Sequence, residues 1–480
     1  MATIYWAGAI DTDIDDYRNY VTGANADPAS ATIADNSGDF SGDDVVFQSL
    51  ALSNVARNPT VNANETFNAI KIDSGCTLTG NASYSITVDS ESDFGVLGAL
   101  HAVYIAGTLG TNVNVIIACA VVTSLQLNGS SGNLHNVTVS AGSSTHYMVA
   151  AATIAGNLTI TSGTLTTGSD YALTVADVVT VNGILTGNGS TLLFGSLKGT
   201  GTFNAPTTTV TIDDRDESTG KALDIDGMTI ATNDLNVNIT SAKNQDLDIG
   251  DDKIHDLTIN QDTDARINYL LGNCSIDGDL TITRGILNTF NRTLTVDGDC
   301  SIAADGKLEA SVNGNVAVTL GSLTIASGGT YNATSATTKI TSEAGSGYCI
   351  QNAGTFTHNK GLVEIDFGAG ITEGQNGPYW DLLLSDPDTD FYTANTWVIY
   401  NNFDLVGDFD VQNNAHHITV HGNMTIGDGS TTTRYMNATA HTNNLTVGGT
   451  LHITNGATAD LGTHGTVNVG GIRNTGGSIS

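Results

Sequence analysis

Short runs in which apolar residues alternate with threonine recur along most of the chain. The stretch GNLTITSGTLTTG begins at Gly156, and variants begin at Gly278 (GDLTITRGIL), Gly407 (GDFDVQN) and Gly422 (GNMTIGDG). Alternation with a period of two predicts short β-strands, and the Gly, Asn, Asp and Ser residues that follow each run predict turns. Apolar residues at helical spacing are nearly absent, so we expect an all-β protein.

A longer unit also repeats. Phrases that begin at His135 (HNVTVSAG), His255 (HDLTINQD) and Trp380 (WDLLLSDP) are separated by 120 and 125 residues. Each is followed, in the same order, by a Gly-x-Leu/Phe-x-Ile/Val phrase and then by a Leu/Ile-Thr-Val phrase. These later phrases begin at Gly156, Gly278 and Gly407, and at Leu173, Leu294 and Ile418. Self-similarity of this kind predicts a solenoid.

A three-residue strand with one apolar face cannot bury that face alone. When coils stack, equivalent strands pair in parallel at ~4.8 Å, and their inward side chains form a continuous core. Threonine suits the outer face, because its branched Cβ favours extended backbone and its hydroxyl tolerates water. The pattern predicts a parallel β-helix (a β-solenoid) with two or three strands and about 20 residues per coil. The residues do not indicate handedness, and we expect right-handed winding as the more common form.

The alternative architecture is a string of antiparallel β-sandwiches. It would need two-residue hairpins, which Asp-Gly pairs favour. Such pairs occur at Asp226, Asp277, Asp297, Asp305 and Asp428. The close spacing of the strands and the long repeat favour the solenoid.

The patterns divide the chain into five predicted sections. The first 45 residues hold nine aspartates and the single basic residue Arg18, together with Tyr5, Trp6, Tyr17 and Tyr20, and therefore predict a cap or docking segment. The C-terminal stretch from Gly465 to Ser480 still resembles a repeat, so we expect another copy or another protein to cover its last coil. The predicted sections are a cap or docking segment at 1–48, a first solenoid section at 49–134, repeats at 135–254 and 255–379, and a truncated repeat at 380–480.

Composition supports a folded protein that neither spans a membrane nor binds nucleic acid. Hydrophobic residues make up 40% of the 480 residues and charged residues only 14%, which is unlike a disordered chain. No apolar run is long enough for a membrane-spanning helix. The net charge of −33 repels nucleic-acid phosphates, so we expect no nucleic-acid partner.

The five cysteines are widely spaced and include no Cys-x-x-Cys pair. We interpret them as buried thiols that pack as small apolar groups in a protein that matures in a reducing cytoplasm. The N-terminal stretch MATIYWAGAIDTDIDDYRNY has neither the basic nor the apolar region of a signal peptide. We therefore expect release by cell lysis. The cysteines are Cys76, Cys119, Cys274, Cys300 and Cys349.

Two acidic clusters are the candidates for glycosidase chemistry, which uses paired carboxylates. One is DDRDES, with Asp213, Asp214, Asp216 and Glu217, and the other is VEIDF, with Glu364 and Asp366 on one strand face. Aromatic residues, which sugar-cleaving sites use as platforms, make up only 6% of the chain. We interpret both clusters as solvated surface charge and predict no catalytic residues.

Metal and cofactor sites are also not predicted. The phrase HHITVHG places His417 and His421 on one strand face, and Asp-rich turns could attract calcium. We interpret these residues as polar surface and assign neither a metal nor a cofactor. The candidates considered are His416, His417, His421, His441 and His452 for a transition metal, and Asp248, Asp251 and Asp252 for calcium.

The N-terminal segments IYWAG (Ile4 to Gly8) and SGDDVVF (Ser41 to Phe47), followed by the GNLTITSGTL-type repeats, resemble β-solenoid structural proteins of tailed bacteriophages. Those proteins begin with Tyr-Trp-Val-Gly-Gly and continue with Asn-Trp-Ser and Gly-Asp-Asp-Val-Val-Phe. Here DYRNYV stands in place of the middle segment. The N-terminal part that carries these segments, residues 4–47, covers about a tenth of the chain.

The resemblance implies a non-enzymatic virion protein, a tail fibre, spike or capsid-surface fibre that contributes to host attachment or particle decoration. It implies other virion proteins as partners, a host-surface glycan as a further partner, and a homo-oligomer, with a trimer expected from the resemblance alone. The alternatives are a phage polysaccharide depolymerase, which would release sugars from host capsule, and a bacterial surface adhesin, which would carry a secretion signal or anchor.

Overall fold

The computed structural model shows a β-solenoid and confirms the predicted fold class. The chain forms two compact units, Met1–Asn236 and Val237–Ser480. The structure describes residues 3–6, 13–22, 40, 42–48, 58–94, 99–232, 234–311, 315–345, 347–367, 370–373, 378–386, 390–393, 396–406, 408–411, 417–429, 434–437, 444–461 and 465–480.

The described part of the first unit contains one 3-10 helix, at Tyr17–Asn19, and otherwise short strands. The strands are β1 (Thr3–Trp6), β2 (Tyr20–Val21), β3 (Asp44–Phe47), β4 (Glu65–Phe67), β5 (Ala69–Ile72), β6 (Thr77–Leu78), β7 (Ile86–Val88), β8 (His101–Ile105), β9 (Thr108–Leu109), β10 (Val115–Ile117), β11 (Thr123–Gln126), β12 (Val137–Met148), β13 (Ala152–Ile154), β14 (Leu158–Thr166), β15 (Leu173–Val181), β16 (Ile184–Thr186), β17 (Leu192–Gly199), β18 (Thr202–Asn204), β19 (Val210–Ile212), β20 (Lys221–Asp224) and β21 (Thr229–Ala231).

The described part of the second unit consists of strands and the turns between them. The strands are β22 (Val237–Ile239), β23 (Gln245–Asp248), β24 (Gly250–Ile254), β25 (Leu257–Asn260), β26 (Ile267–Leu270), β27 (Cys274–Ile276), β28 (Leu280–Asn288), β29 (Leu294–Glu309), β30 (Val318–Ile325), β31 (Thr330–Asn332), β32 (Thr337–Ile340), β33 (Tyr348–Asn352), β34 (Thr355–Thr357), β35 (Leu362–Ile365), β36 (Gly370–Glu373), β37 (Pro378–Tyr379), β38 (Asp381–Leu384), β39 (Asp390–Thr393), β40 (Trp397–Ile399), β41 (Phe403–Leu405), β42 (Asp408–Val411), β43 (His417–Val420), β44 (Met424–Ile426), β45 (Arg434–Asn437), β46 (Asn444–Ile453), β47 (Thr458–Asp460), β48 (Val467–Asn474) and β49 (Ser478–Ile479).

Three strand segments make one coil, within the predicted range. In the first unit, one coil passes through β13 and the two ends of β14, and the next coil passes through β15 and β16. Leu158 pairs in register with Val179, which pairs with Leu197, so successive coils take 21 and 18 residues. Strand pairs within the described residues of each unit are parallel except β1–β2, so the antiparallel sandwich alternative is wrong.

The core of each unit is a set of apolar columns, because every second residue of a strand points inward. Leu158 and Ile160 are fully buried, whereas Thr159 between them is partly exposed. On the next coil, Val179 lies over Leu158 and Val181 lies over Ile160, and both valines are also fully buried. The second unit repeats the arrangement with Leu280, Cys300 and Leu323 in register. Each apolar-Thr-apolar phrase is thus one strand segment of a coil, with its residues pointing inward, outward and inward.

Asparagine and aspartate residues tie one coil to the next, directly before many of these strands. Asn136 Oδ1 accepts a hydrogen bond from the Asn157 backbone N–H at 2.9 Å, and Asn157 Oδ1 accepts one from the Val178 N–H at 3.1 Å. In the second unit, Asp256 accepts from the Asp279 N–H and Asp279 from the Asp299 N–H, at 2.8 and 2.7 Å. We call these side chains the Asx ladder. The ladder was not predicted from the sequence.

Breaking the Asx ladder should weaken the stack. We expect Asn136→Ala to lower the free energy of unfolding of the first unit by about 1–2 kcal/mol, because a corner amide N–H loses its acceptor. Asp279→Asn should cause no loss, since an amide oxygen still accepts and the charge repulsion with the aspartates one coil away decreases. Urea unfolding followed by circular dichroism measures both changes. Equal losses in the two variants would contradict the assignment.

The two N-terminal segments that carry the resemblance form neighbouring strands. Ile4 of β1 pairs in parallel register with Val45 of β3, and β3 pairs onward with β5. The Trp6 ring lies 5.4 Å from the Tyr20 ring and 6.2 Å from the Phe47 ring, between centroids. These strands are thus stacked like those that follow, and the separate cap or docking role of 1–48 stays a prediction.

The phrases of the long repeat do not occupy equivalent positions in the coils of the second unit. The strand after His255, β25, belongs to the column of Leu257, Leu280 and Cys300. The strand after Trp380, β38, pairs with β35. β35 pairs with β32, and β32 pairs with the part of β30 that contains Val318, so these strands form a separate column. Similar phrases therefore occur on different faces of the coil. The section boundaries drawn from these phrases stay predictions.

The last described rung, formed by β48 and β49, has exposed apolar side chains. Ile472 is 56% exposed although its register partner Leu451 is fully buried, and Ile479 is 43% exposed above buried Ala459. The expectation that another copy or another protein covers this rung stays a prediction.

Candidate functional site

The carboxylates of Glu364 and Asp366 are held by a neighbouring coil. Lys339, the register partner of Glu364, places its Nζ atom 3.1 Å from Glu364 Oε1 and 2.6 Å from Asp366 Oδ2. The Ser385 Oγ atom lies 3.2 Å from an oxygen of each carboxylate, and its single hydrogen can be donated to only one of the two at a time. The hydrogen bond to Asp366 is the main cause that raises the pKa of Lys339, so the lysine stays charged at neutral pH. The cluster acts as a tie between three coils.

The Asp213–Glu217 cluster forms the turn between β19 and β20. Asp216 is buried and accepts hydrogen bonds from Lys198 Nζ at 2.7 Å and from the Ser218 hydroxyl at 2.6 Å. Asp213 is exposed, and desolvation together with the charge of Asp214 raises its pKa. Glu217 lies 3.5 Å from the Arg215 guanidinium. The buried carboxylate of this cluster organises the turn, as an ion-paired structural group would.

The Lys198–Asp216 pair sets a pH dependence for the first unit. Burial raises the pKa of Asp216, but the hydrogen bonds from Lys198 and Ser218 outweigh burial and lower the pKa to about 2. Since this value lies below the ordinary 3.8, the pair stabilises the fold at neutral pH, and this stability is lost as the pH falls from about 4 to about 2.

Removing the Lys198 side chain should raise the pKa of Asp216 again. We expect Lys198→Met to raise the pKa of Asp216 by about 1–3 units, because burial then dominates over the remaining donors. The control is Lys221→Met, which removes the more exposed ion pair with Asp224 at 3.0 Å. Carboxyl-carbon NMR titration measures the pKa of Asp216. An unchanged value in Lys198→Met would show that the lysine does not set it.

The structure does not bring the candidate metal-binding histidines together. His417 Nδ1 accepts the Asn444 backbone N–H at 3.2 Å, His421 lies beyond the end of β43, and His452 Nε2 is 3.2 Å from the Thr475 hydroxyl. The interpretation that His417 and His421 share a strand face is therefore wrong. His416 and His441 lie outside the described residues. Within the part of the chain that is described, no group of three or more His, Cys, Asp or Glu side chains could hold a metal ion.

The three candidates for calcium binding lie on two consecutive strands of the second unit. Asp248 lies on β23, half-buried, and Asp251 and Asp252 lie on β24, where their side chains are outside the described part. All five cysteines are buried, as predicted. Burial raises the pKa of the thiols of Cys76, Cys119 and Cys300 to about 12, so these thiols are unreactive at neutral pH.

A shallow groove of about 490 Å³ crosses several coils of the first unit. Its walls are glycine, serine, threonine and asparagine residues and the partly exposed Ile184. None of the lining residues is charged, so the groove offers hydroxyl and amide groups but no acid–base chemistry.

A cluster of exposed and partly exposed rings on the second unit is the candidate binding site that the sequence did not reveal. We call His358, Trp380, Tyr400 and His421 the ring corner. The His358 ring lies 5.6 Å from the Trp380 ring and 5.6 Å from the Tyr400 ring, between centroids. Tyr400 stacks on His421 at 5.6 Å with an interplanar angle of 20°. The Lys360 ammonium lies 5.5 Å from the centroid of the Trp380 ring.

The stacking of coils places these rings together. Tyr379, Ile399 and Val420 are in register on successive coils, and Trp380, Tyr400 and His421 are the residues that directly follow them. His358 directly follows β34. Each ring leaves the coil at the same corner, so residues about 20 apart in sequence become neighbours.

The turn that carries His358 is held in an uncommon conformation. Asn359 and Lys360 have φ angles of 44° and 63°, and left-handed backbone at a lysine is uncommon. Asn359 Nδ2 donates to the Ala333 carbonyl at 2.7 Å, and the Lys360 backbone N–H donates to His358 Nδ1 at 2.9 Å. Burial and then the charge of Lys360 lower the pKa of His358. The neutral imidazole thus accepts at Nδ1 and carries its hydrogen on Nε2.

Comparisons with known proteins add no assignment. Neither the protein-family models, nor the curated proteins, nor the solved structures contain a match to this chain. No helix in the described residues has the length and apolar character needed to cross a membrane.

Proposed function

We propose that this chain is a non-enzymatic structural protein of a tailed-phage virion. It forms a β-solenoid appendage, a tail fibre, spike or capsid-surface fibre, that contributes to host attachment or decorates the particle. Its partners in this proposal are other virion proteins and a host-surface glycan, and its location is the virion.

The observation that carries the structural role is the tying of coil to coil by side chains. The Asx ladder joins corners through backbone N–H groups, and Glu364 joins its own coil to those of Lys339 and Ser385. The carboxylates considered for catalysis include Asp216, Glu364 and Asp366, and each of these is engaged by a lysine of another coil. Such side chains support a rigid scaffold better than a catalytic centre, which needs groups that can exchange protons.

The assignment to a virion rests on the resemblance of the N-terminal segments. The structure adds that IYW and DVVF lie in register as β1 and β3, with the rings of Trp6 and Phe47 in contact. The two segments are therefore one structural feature, which is consistent with their occurring together in the phage proteins that the chain resembles.

Mass spectrometry of gradient-purified phage particles, from a lysate of cells that carry this coding sequence, tests the proposal. We expect the protein at a fixed ratio to the capsid protein. Recovery only in the cell-envelope fraction would support an adhesin and contradict the proposal, and release of sugars from host capsule by the purified protein would support a depolymerase.

Light scattering tests the trimer, which has three times the chain mass of 49.5 kDa.

A further inference from the structure

We propose that the ring corner is a binding site for a neutral oligosaccharide, which lies along the edge of the second unit. The inference rests on the proposed function in one respect: it names the surface and the class of ligand through which the protein would attach to a host. Binding by the purified protein tests the site, whereas particle composition tests the virion assignment, so the two can fail separately.

The exposure of the rings supports a site. Several large aromatic side chains among the described residues of the second unit lie in its core, including Tyr331, Tyr379, Trp397 and Phe403. By contrast, Tyr400 is 45% exposed, His421 is exposed, and Trp380 is partly exposed. Contiguous exposed rings mark interaction surfaces, because an apolar ring face gains free energy when a ligand excludes water from it.

The backbone at the ring corner supports the same conclusion. Two successive left-handed residues, Asn359 and Lys360, hold His358 and the lysine side chain against the Trp380 ring. Such conformations cost free energy and persist where the surrounding structure requires them, often at ligand sites. The hydrogen bonds from Asn359 and Lys360 keep this turn in place.

A second pair of rings, one exposed and one partly exposed, lies on the same edge, three coils earlier. Asn288, Glu309, Asn332 and Thr357 are in register, and Phe290 and His358 lie just beyond the first and last of them. Three coils correspond to about 14 Å. Phe290 is 43% exposed and lies 5.7 Å from the Tyr269 ring.

The backbone at Phe290 repeats that of the ring corner. Phe290 and Asn291 have φ angles of 46° and 64°, nearly those of Asn359 and Lys360. This turn therefore carries a ring at both ends of the stretch, although at different positions: Phe290 is its first left-handed residue, whereas His358 directly precedes the first left-handed residue. An extended ligand that runs parallel to the stack can contact both, whereas a single sugar can contact only one.

The chemistry of the surface selects a neutral glycan. A sugar ring has an apolar C–H face, which packs on aromatic rings, and a rim of hydroxyls that needs hydrogen-bonding groups. The His358 Nε2–H donor and the side-chain amide of Asn401, which is held by Asp381 Oδ1 at 2.9 Å, flank the rings. The net charge of −33 disfavours anionic glycans and nucleic acids.

Tryptophan fluorescence tests the site directly. Of the three tryptophans, Trp6 and Trp397 are buried, so quenching by acrylamide reports on Trp380. The probes are malto-, cello-, manno-, galacto- and chito-oligosaccharides, with oligogalacturonides as acidic controls. We expect at least one neutral series to protect Trp380, with longer members binding more tightly, and the acidic controls to give no protection.

Matched tyrosine variants locate the binding. Tyr147 and Tyr400 are both 45% exposed, but Tyr147 lies on β12 in the first unit. We expect Tyr400→Ala to weaken binding about tenfold, since one ring contact is lost, and Tyr147→Ala to leave binding unchanged. Circular dichroism confirms that both variants fold. Absence of protection by every neutral series, or equal loss in the two variants, would overturn the inference.

Discussion

Gly199→Ala is expected to lower the free energy of unfolding of the first unit by about 3–5 kcal/mol. The φ angle of Gly199 is +142°, a region that side chains disfavour, and an added Cβ would lie 2.0 Å from the Val181 carbonyl oxygen. Val181 is the register partner of Gly199 on the preceding coil. The added methyl therefore cannot fit unless the two coils separate, and strand pairing is lost where they do.

Gly142→Ala is the matched control. Gly142 also has a positive φ, +61°, but an added Cβ there meets no atom within 4 Å. Only the conformational cost applies, so we expect a loss of about 1–2 kcal/mol. Urea unfolding of both variants, followed by circular dichroism, gives the comparison. Similar losses at the two positions would mean that coil spacing near Gly199 is looser than described.

Trp397→Ala should have the second large effect, a loss of about 3 kcal/mol in the second unit. The fully buried Trp397 ring contacts the rings of Tyr379, Phe403 and Phe409, with centroids 5.6–6.4 Å apart. Loss of this packing alone would cost about 3–5 kcal/mol. The lower value is expected because Trp397 Nε1–H finds no acceptor among the described residues, so its removal recovers about 1 kcal/mol.

Trp380→Ala is the control for the tryptophan prediction. Trp380 is partly exposed and contacts His358 at the surface, so we expect its removal to cost less than about 1 kcal/mol. Thermal unfolding of both variants measures the difference. If Trp380→Ala were as destabilising as Trp397→Ala, the described division between core and ring corner would be wrong.

The alternation of apolar residues and threonine was sufficient to predict the fold. Leu158, Thr159 and Ile160 show why, since their inward-outward-inward order is the repeating unit of the core. The Asx ladder was missed because Asn136 and Asn157 are equally compatible with ordinary turns. Their roles depend on the register between coils, which varies from 18 to 21 residues between Leu158 and Leu197.

The ring corner was missed for a related reason. Trp380, Tyr400 and His421 lie about one coil apart, but a low aromatic content gives no local signal. The signal that could have revealed the ring corner is a ring-bearing residue directly after the last inward residue of each in-register strand. This signal can be used only when the register between coils is known. The 120- and 125-residue repeat indicated the solenoid but not the register between coils, because similar phrases at His255 and Trp380 belong to different columns.

Disulfide formation between Thr159→Cys and Thr180→Cys tests the stacking of coils most directly. These outward positions are in register on adjacent coils, and the ~4.8 Å strand spacing falls within the range of disulfides. The control pair is Thr159→Cys with Thr174→Cys, which is closer in sequence but lies on another column, paired with Thr153. The native cysteines are buried and should not compete. We predict rapid oxidation of the 159/180 pair and none of the 159/174 pair; equal oxidation, or a preference for 159/174, would contradict the solenoid.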